Sequence, residues 1–150
     1  MRGRNGFTLI EMLIVVVVMG MVAVMGFPRV RDAIRKQNVR SARLAVGTLA
    51  AKARALAVHR GCRAVLHFTA GSSGRIWVTV CQVNGTGVDT LGGVEYLAER
   101  FRVTLTPTRD SVQYDMRGLS LDNQATTIRL AGSGIQDSVV INSVGKVMRS

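Results

Sequence analysis

A chain of 150 residues with two cysteines and two histidines has room for one small domain, and too few of either residue for a disulfide scaffold or a zinc cluster. Its formal charge of +11 leaves three readings for the excess: a solvated helix face, contact with anionic lipid headgroups, or nucleic-acid binding. The excess is uneven, because Arg29, Arg31, Arg35, Lys36, Arg40, Arg43, Lys52, Arg54, Arg60 and Arg63 share one stretch in which Asp32 is the only acid.

The first predicted element is a membrane span. Gly6-Phe7-Thr8-Leu9-Ile10-Glu11 is followed by an unbroken apolar run over residues 12–27. A helix over residues 7–27 rises by roughly 30 Å, the thickness of a bilayer's hydrocarbon core. Glu11 is costly there, by roughly 2.5–3.5 kcal/mol at a bilayer centre and less near an interface, so it calls for a partner. A secretory signal peptide would use Arg2 and Arg4 as its basic region, yet a carboxylate opens the apolar run and no small-x-small cleavage site follows. A plain anchor, with Glu11 snorkelling to the headgroups, leaves Gly6-Phe7 without a role.

The hexapeptide at 6–11, placed ahead of an apolar helix, resembles the type III leader sequence of type IV pilins and type II secretion pseudopilins. The resemblance implies a leader peptide over 1–6, cut between Gly6 and Phe7 by a membrane-embedded prepilin peptidase. It implies that Phe7 becomes the N-methylated first residue, and that Glu11 pairs with the N-terminal amine of a neighbouring subunit during assembly. It also implies a single-pass inner-membrane protein with its C-terminal domain in the periplasm. The Lys/Arg count opposes this orientation, since by charge alone the side after Phe27 stays in the cytoplasm; the leader motif is given the greater weight.

Pro28 removes one backbone donor and can kink or interrupt the helix. The pilin resemblance implies a bend there, and a helix that starts again beyond the membrane fits the residues as well. From 29 to about 59 the pattern is helical: Ile34, Ala42, Ala45, Leu49, Ala53 and Leu56 recur at three- and four-residue steps, with Lys36, Arg40 and Arg43 along another face. One long helix is predicted. Residues 7–27 lie in the membrane or a filament core, and residues 28–60 form an amphipathic continuation laid on a domain and stopped at Arg60-Gly61.

Residues 61–150 are predicted to be a β domain. Residues 62–68 read as a strand, 70–74 as a turn and 75–83 as the returning strand. Folding back through the turn sets Leu66 opposite Trp77, Ala64 opposite Thr79 and Cys62 opposite Cys81. Opposed cysteines on antiparallel neighbours lie within bridging range, so either a Cys62–Cys81 disulfide, suited to an oxidising periplasm, or two buried thiols follows. Residues 84–93 carry Gly85, Gly87, Gly92 and Gly93 and read as a loop, without the strand–glycine–helix order of a nucleotide cradle. Further strands are predicted at 94–98, 100–106, 112–116, 126–130 and 138–142, with 147–148 closing the sheet.

A second resemblance lies in Val112-Gln-Tyr-Asp-Met-Arg-Gly118, Thr126-Thr-Ile-Arg-Leu130 and Val139-Val-Ile-Asn-Ser-Val-Gly-Lys-Val147. These segments resemble the C-terminal half of the pseudopilin H/FimT-type family, and Ala53-Arg54-Ala55 and the hairpin with Trp77 fit it too. The implied fold is α+β: a long N-terminal helix packed on an antiparallel β domain. The implied role is a minor subunit of a type II secretion pseudopilus for protein export, with other pseudopilins or minor pilins as partners. The alternative is a type IV pilus minor pilin involved in priming or DNA uptake. FimT-type DNA receptors carry a Gly-Arg-x-Arg tail; Gly145, Lys146 and Arg149 match it in part, with Lys in place of the first Arg and one extra residue before Arg149.

No catalytic arrangement stands out. His59 at a helix end and His67 along a strand read as surface or edge residues. No Ser/His/Asp spacing, metal-ligand cluster or close carboxylate pair is evident, and Asp110, Asp115 and Asp122 are too irregular for a calcium loop. No enzyme activity, cofactor or metal is expected. The partners expected are sister subunits, prepilin peptidase, membrane lipid and, in the alternative, DNA.

Overall fold

The computed structural model describes residues 7–82 and 87–149. The expected leader, including Gly6, and part of the expected loop at 84–93 therefore lie outside the described residues. The chain divides into two compact units, Met1–Ile34 and Arg35–Ser150.

Helix α1, Leu9–Arg60, enters both units. It begins at Thr8, whose Oγ1 accepts a hydrogen bond from the Glu11 N–H at 3.3 Å. It ends in a left-handed turn: Gly61 has φ +61°, its N–H reaches the Val58 carbonyl, and the Cys62 N–H reaches the Ala57 carbonyl. Those two bonds satisfy carbonyls that the last turn would leave open, and glycine takes the positive φ without a Cβ penalty.

In the first unit every described residue is exposed. In the second, α1 buries Val39, Ala42, Val46, Ala50, Ala53 and Ala57, at steps of three and four. The expected stripe is rotated relative to this one. Ala42 and Ala53 lie in the buried line, but Ala45, Leu49 and Leu56 only flank it and Ile34 is 55% exposed. Small side chains at the centre let the helix approach the sheets closely, and the leucines pack at the sides.

Two antiparallel sheets complete the second unit. The first orders β3 (Val88–Thr90), β2 (Arg75–Cys81), β1 (Ala64–Thr69) and β6 (Ser111–Tyr114), with β4 (Glu95–Tyr96) also on β2. The second orders β5 (Thr104–Pro107), β7 (Thr126–Gly132), β8 (Ile135–Ile141) and β9 (Val147–Arg149). Alternate residues of each sheet turn inward: Leu66, Val78 and Val112 from the first, Leu105, Ile128 and Val139 from the second, all joining the α1 stripe in one core. Gly71, at the tip of the first hairpin, exchanges two backbone hydrogen bonds with Leu105 of β5 and so ties the sheets together.

Four expectations are corrected. The β1–β2 register is one residue away from the one expected: Leu66 faces Val78, Ala64 faces Val80, and His67 faces Trp77. This register puts Ala64, Leu66 and Phe68 on the same face as Ile76, Val78 and Val80, all buried; a one-residue slip would send one of the two sets to solvent. Residues 94–98 and 100–106 are not two full strands. A helical turn, α2 (Leu97–Phe101), separates β4 from β5, holding Leu97 buried and ending at Arg102 with φ +52°. The loop expected at 84–93 contains β3, paired to β2. Finally, β7 and β8 extend to a tight hairpin at Ser133-Gly134, whose positive φ values, +49° and +84°, suit a two-residue turn.

Candidate assembly helix and its neighbouring sites

The candidate site is the first unit. Leu9–Arg60 is long and apolar enough to cross a membrane, with a peak mean hydropathy of 2.6. Leu9, Ile10, Met19, Val24 and Met25 are all at least 65% exposed. A helix that is apolar all round and uncovered by its own chain has its partners elsewhere, in lipid or in other helices.

Phe7 precedes the helix and is 73% exposed. Glu11 is the one acid in the first turn. Thr8-Leu9-Ile10-Glu11 has the Thr-x-x-Glu spacing of a capping box, a local signal that the sequence reading missed. The cap seen is the Glu11 N–H on Thr8 Oγ1, and the carboxylate itself is supported locally by the positive end of the helix dipole. The dipole is worth about 0.3–1 kcal/mol, less than the roughly 2.5–3.5 kcal/mol a charge costs in mid-bilayer. At mid-bilayer depth such local structure would offset only part of that cost. Pro28 lies inside α1, where its missing N–H leaves the carbonyl four residues back, Val24, without its helical donor.

The structure brings Cys62 and Cys81 together as a disulfide with Cα atoms 6.3 Å apart. It is not a bridge between directly opposed strand residues. Cys62 lies in the turn that ends α1 and Cys81 is the last residue of β2, so the bond fastens the helix end to the sheet. Lys146 is exposed at the β8–β9 connection, and Arg149 is the last residue of β9. The glycine before Lys146 has a structural reason of its own. Gly145 has φ +88°, and a Cβ there would lie 2.7 Å from the Tyr114 ring and 3.2 Å from the Ser120 nitrogen. The Asn142 side chain closes the connection by accepting from the Val144 and Lys146 N–H groups.

Two further groups were not legible in the sequence. His67 and Trp77 stack with ring centroids 5.0 Å apart and planes 11° from parallel, and His67 Nε2 lies 2.8 Å from Thr79 Oγ1. Burial holds the His67 pKa below its ordinary 6.5. Tyr114 is fully buried with its hydroxyl unpaired, and burial pushes its pKa up to about 12. A surface groove of about 480 Å³ runs between α1 (Leu44, Gly47, Thr48) and the second sheet (Val139, Val147, Met148).

One long helix, apolar and exposed in its first part and packed on antiparallel sheets in its second, is the type IV pilin-like architecture. The prokaryotic N-terminal methylation motif matches over residues 1–27. The chain is similar in structure to the type IV minor pilin FimU of Pseudomonas aeruginosa strain PAO1, in two crystal forms. The TM-scores are 0.61 and 0.58 at 13% sequence identity, covering 77% and 74% of this chain and 90% and 91% of FimU. At that identity the likeness shows the shared fold alone. No curated protein sequence matches the chain.

Proposed function

We propose that this protein is a minor subunit of a pilin-type filament, anchored in the inner membrane before assembly and built into the filament through residues 7–27. The observation that carries the reading is an apolar helix, exposed on every side, that lies within the matched N-terminal methylation motif. Prepilin peptidase cuts between Gly6 and Phe7, and the new Phe7 amine is methylated. Glu11 of one subunit then meets the Phe7 amine of another. Attraction between the two charges is strong in low dielectric and offsets what remains of the cost of holding the carboxylate among apolar helices. The missing bond at Pro28 lets the helix bend as neighbours pack. The Cys62–Cys81 bond forms in the periplasm, where the second unit resides. The protein acts as a structural part of the fibre.

Type II secretion pseudopili and type IV pili both use subunits of this kind. The segments at 112–118, 126–130 and 139–147 support a pseudopilin H/FimT-type subunit. The fold shared with the pilus protein FimU weighs toward the pilus. In-cell crosslinking to neighbouring subunits tests the choice: pilus partners support that machine and secretion partners the other. Glu11→Ala tests the mechanism, being cut and held in the membrane yet absent from sheared filaments. Normal incorporation of that variant removes the pairing role.

A further inference from the structure

We propose that Phe27, Arg29 and Arg31 form an anchor for the phosphates of anionic phospholipids where the span ends. The proposal rests on reading residues 7–27 as membrane-embedded before assembly. Between Glu11 and Arg29 the chain carries no charge. Then two arginines follow in three residues, both exposed, beside a Phe27 ring that is 61% exposed.

The geometry is specific to Arg31. Its guanidinium carbon lies 4.7 Å from the centroid of the Phe27 ring, one helical turn back. An arginine free of such a contact would carry its charge away from the apolar segment; here the charge is drawn back to the level of the span's last aromatic residue. Phe27 is the last residue of the apolar run, so its ring marks the level at which the span gives way to the charged segment. A guanidinium lying on a ring presents its edge N–H groups sideways, and two of them match two phosphate oxygens. Arg29 is two residues, roughly 200°, away around the helix, so it meets a different headgroup from Arg31. Anionic rather than zwitterionic lipid is the ligand because Asp32 is the only acid in residues 12–34, which leaves this short segment positive overall.

The test uses the full chain. It is first reconstituted in pure phosphatidylcholine vesicles and floated on a density gradient; failure to float defeats the span reading itself. The chain is then reconstituted with one part phosphatidylglycerol to four of phosphatidylcholine and extracted in mild detergent. Co-purifying lipid is measured by mass spectrometry. A basic residue at an anionic surface is worth about fivefold in binding, so Arg29→Gln with Arg31→Gln should cut retained phosphatidylglycerol by about 10- to 30-fold while the variant still floats. Phe27→Leu keeps both charges and should cut it by about 2- to 5-fold, the worth of an exposed cation–π contact. Inorganic phosphate at the lipid's concentration should displace little. A floating chain without phosphatidylglycerol enrichment, an unchanged double variant, or full displacement by inorganic phosphate each overturns the proposal.

Discussion

Residues 9–34 and 35–60 belong to one helix and present opposite surfaces. The first part carries Ile, Val, Met and Leu around its whole circumference, all exposed. The second narrows its buried line to Val39, Val46 and four alanines, matched to the sheets of its own unit. Helix propensity does not separate them, since both sets hold good and poor helix formers. Side-chain size and spread do. A narrow stripe of small residues records a partner already in place in the same chain, and a broad apolar surface records partners still to be met. The second unit should therefore answer to its own packing, and the first to its surroundings.

The sharpest way to break that contrast is a pair of glycine substitutions. Gly145→Ala places a methyl on a positive-φ backbone and against the Tyr114 ring. Strain and overpacking at about 1–3 kcal/mol each predict a loss of about 4 kcal/mol, read as a lower urea midpoint by fluorescence of Trp77, the sole tryptophan. Gly20 has open space around it, and alanine is favoured in a helix interior by about 1 kcal/mol, so Gly20→Ala should leave that midpoint in place. Equal shifts from the two variants would show that the units are not independent. A Gly20→Ala chain that unfolds normally yet assembles poorly would instead mark residue 20 as a contact with a sister helix.

The next largest effect is expected at the disulfide. Cys62 and Cys81 are 19 residues apart, and closing a loop of that size is worth about 3 kcal/mol in the chain-entropy account. Cys62→Ser with Cys81→Ser, or reduction of the unaltered chain, should lower the same midpoint by that amount. Flotation with vesicles should not change. A reduced protein as stable as the oxidised one would show that the α1–β2 packing holds without the bond.

Tyr114 offers a smaller test. Its pKa stands near 12 in the folded state against an ordinary 10.0, so above pH 10 the unfolded chain gives up a proton that the folded one keeps. The stability is fully present below pH 10 and declines from there toward pH 12. Because its hydroxyl is buried without a partner, Tyr114→Phe should remove this alkaline decline at little cost at neutral pH. A decline that persists in the variant would assign it to other groups.

Much of the fold could be read in advance, since apolar period and glycine punctuation are local signals. The long helix, the Gly61 stop and the first hairpin came from them, and the antiparallel character of the β domain from the family resemblance. What escaped depends on contacts distant in sequence. The β1–β2 register differs by one residue because the expected pairing centres half a residue before Ser72, whereas the observed pairs, such as Thr69 with Arg75, centre on it and bring both inward sets to the core. Helix α2 escaped because five residues give too short a window for a helical period, although Leu97 and Phe101 have its spacing. The split into two sheets follows from pairings between strands far apart in the chain, β1 with β6 and β5 with β7, which join residues with no shared local pattern. At the candidate site, the methylation motif and span were plain, whereas the Thr8–Glu11 cap was hidden by the more conspicuous cost of the charge.

The smallest effect expected is at His67, and it asks how closed the second unit is on its outer sheet face. Two influences oppose each other there. The electron-rich Trp77 ring favours an imidazolium stacked on it, and partial burial disfavours it. Burial wins, since the pKa is lowered from 6.5. As pH falls below 6.5 the unfolded chain takes up a proton that the folded chain still refuses, so stability is lost in that window and levels off below the folded pKa. Protonation also quenches the stacked indole, so Trp77 fluorescence should step down with a midpoint under 6.5, and His67→Gln should abolish the step. A midpoint at or above 6.5 would mean that water reaches the stack freely, and that this face of the second unit is closer in character to the uncovered helix than to the core behind it.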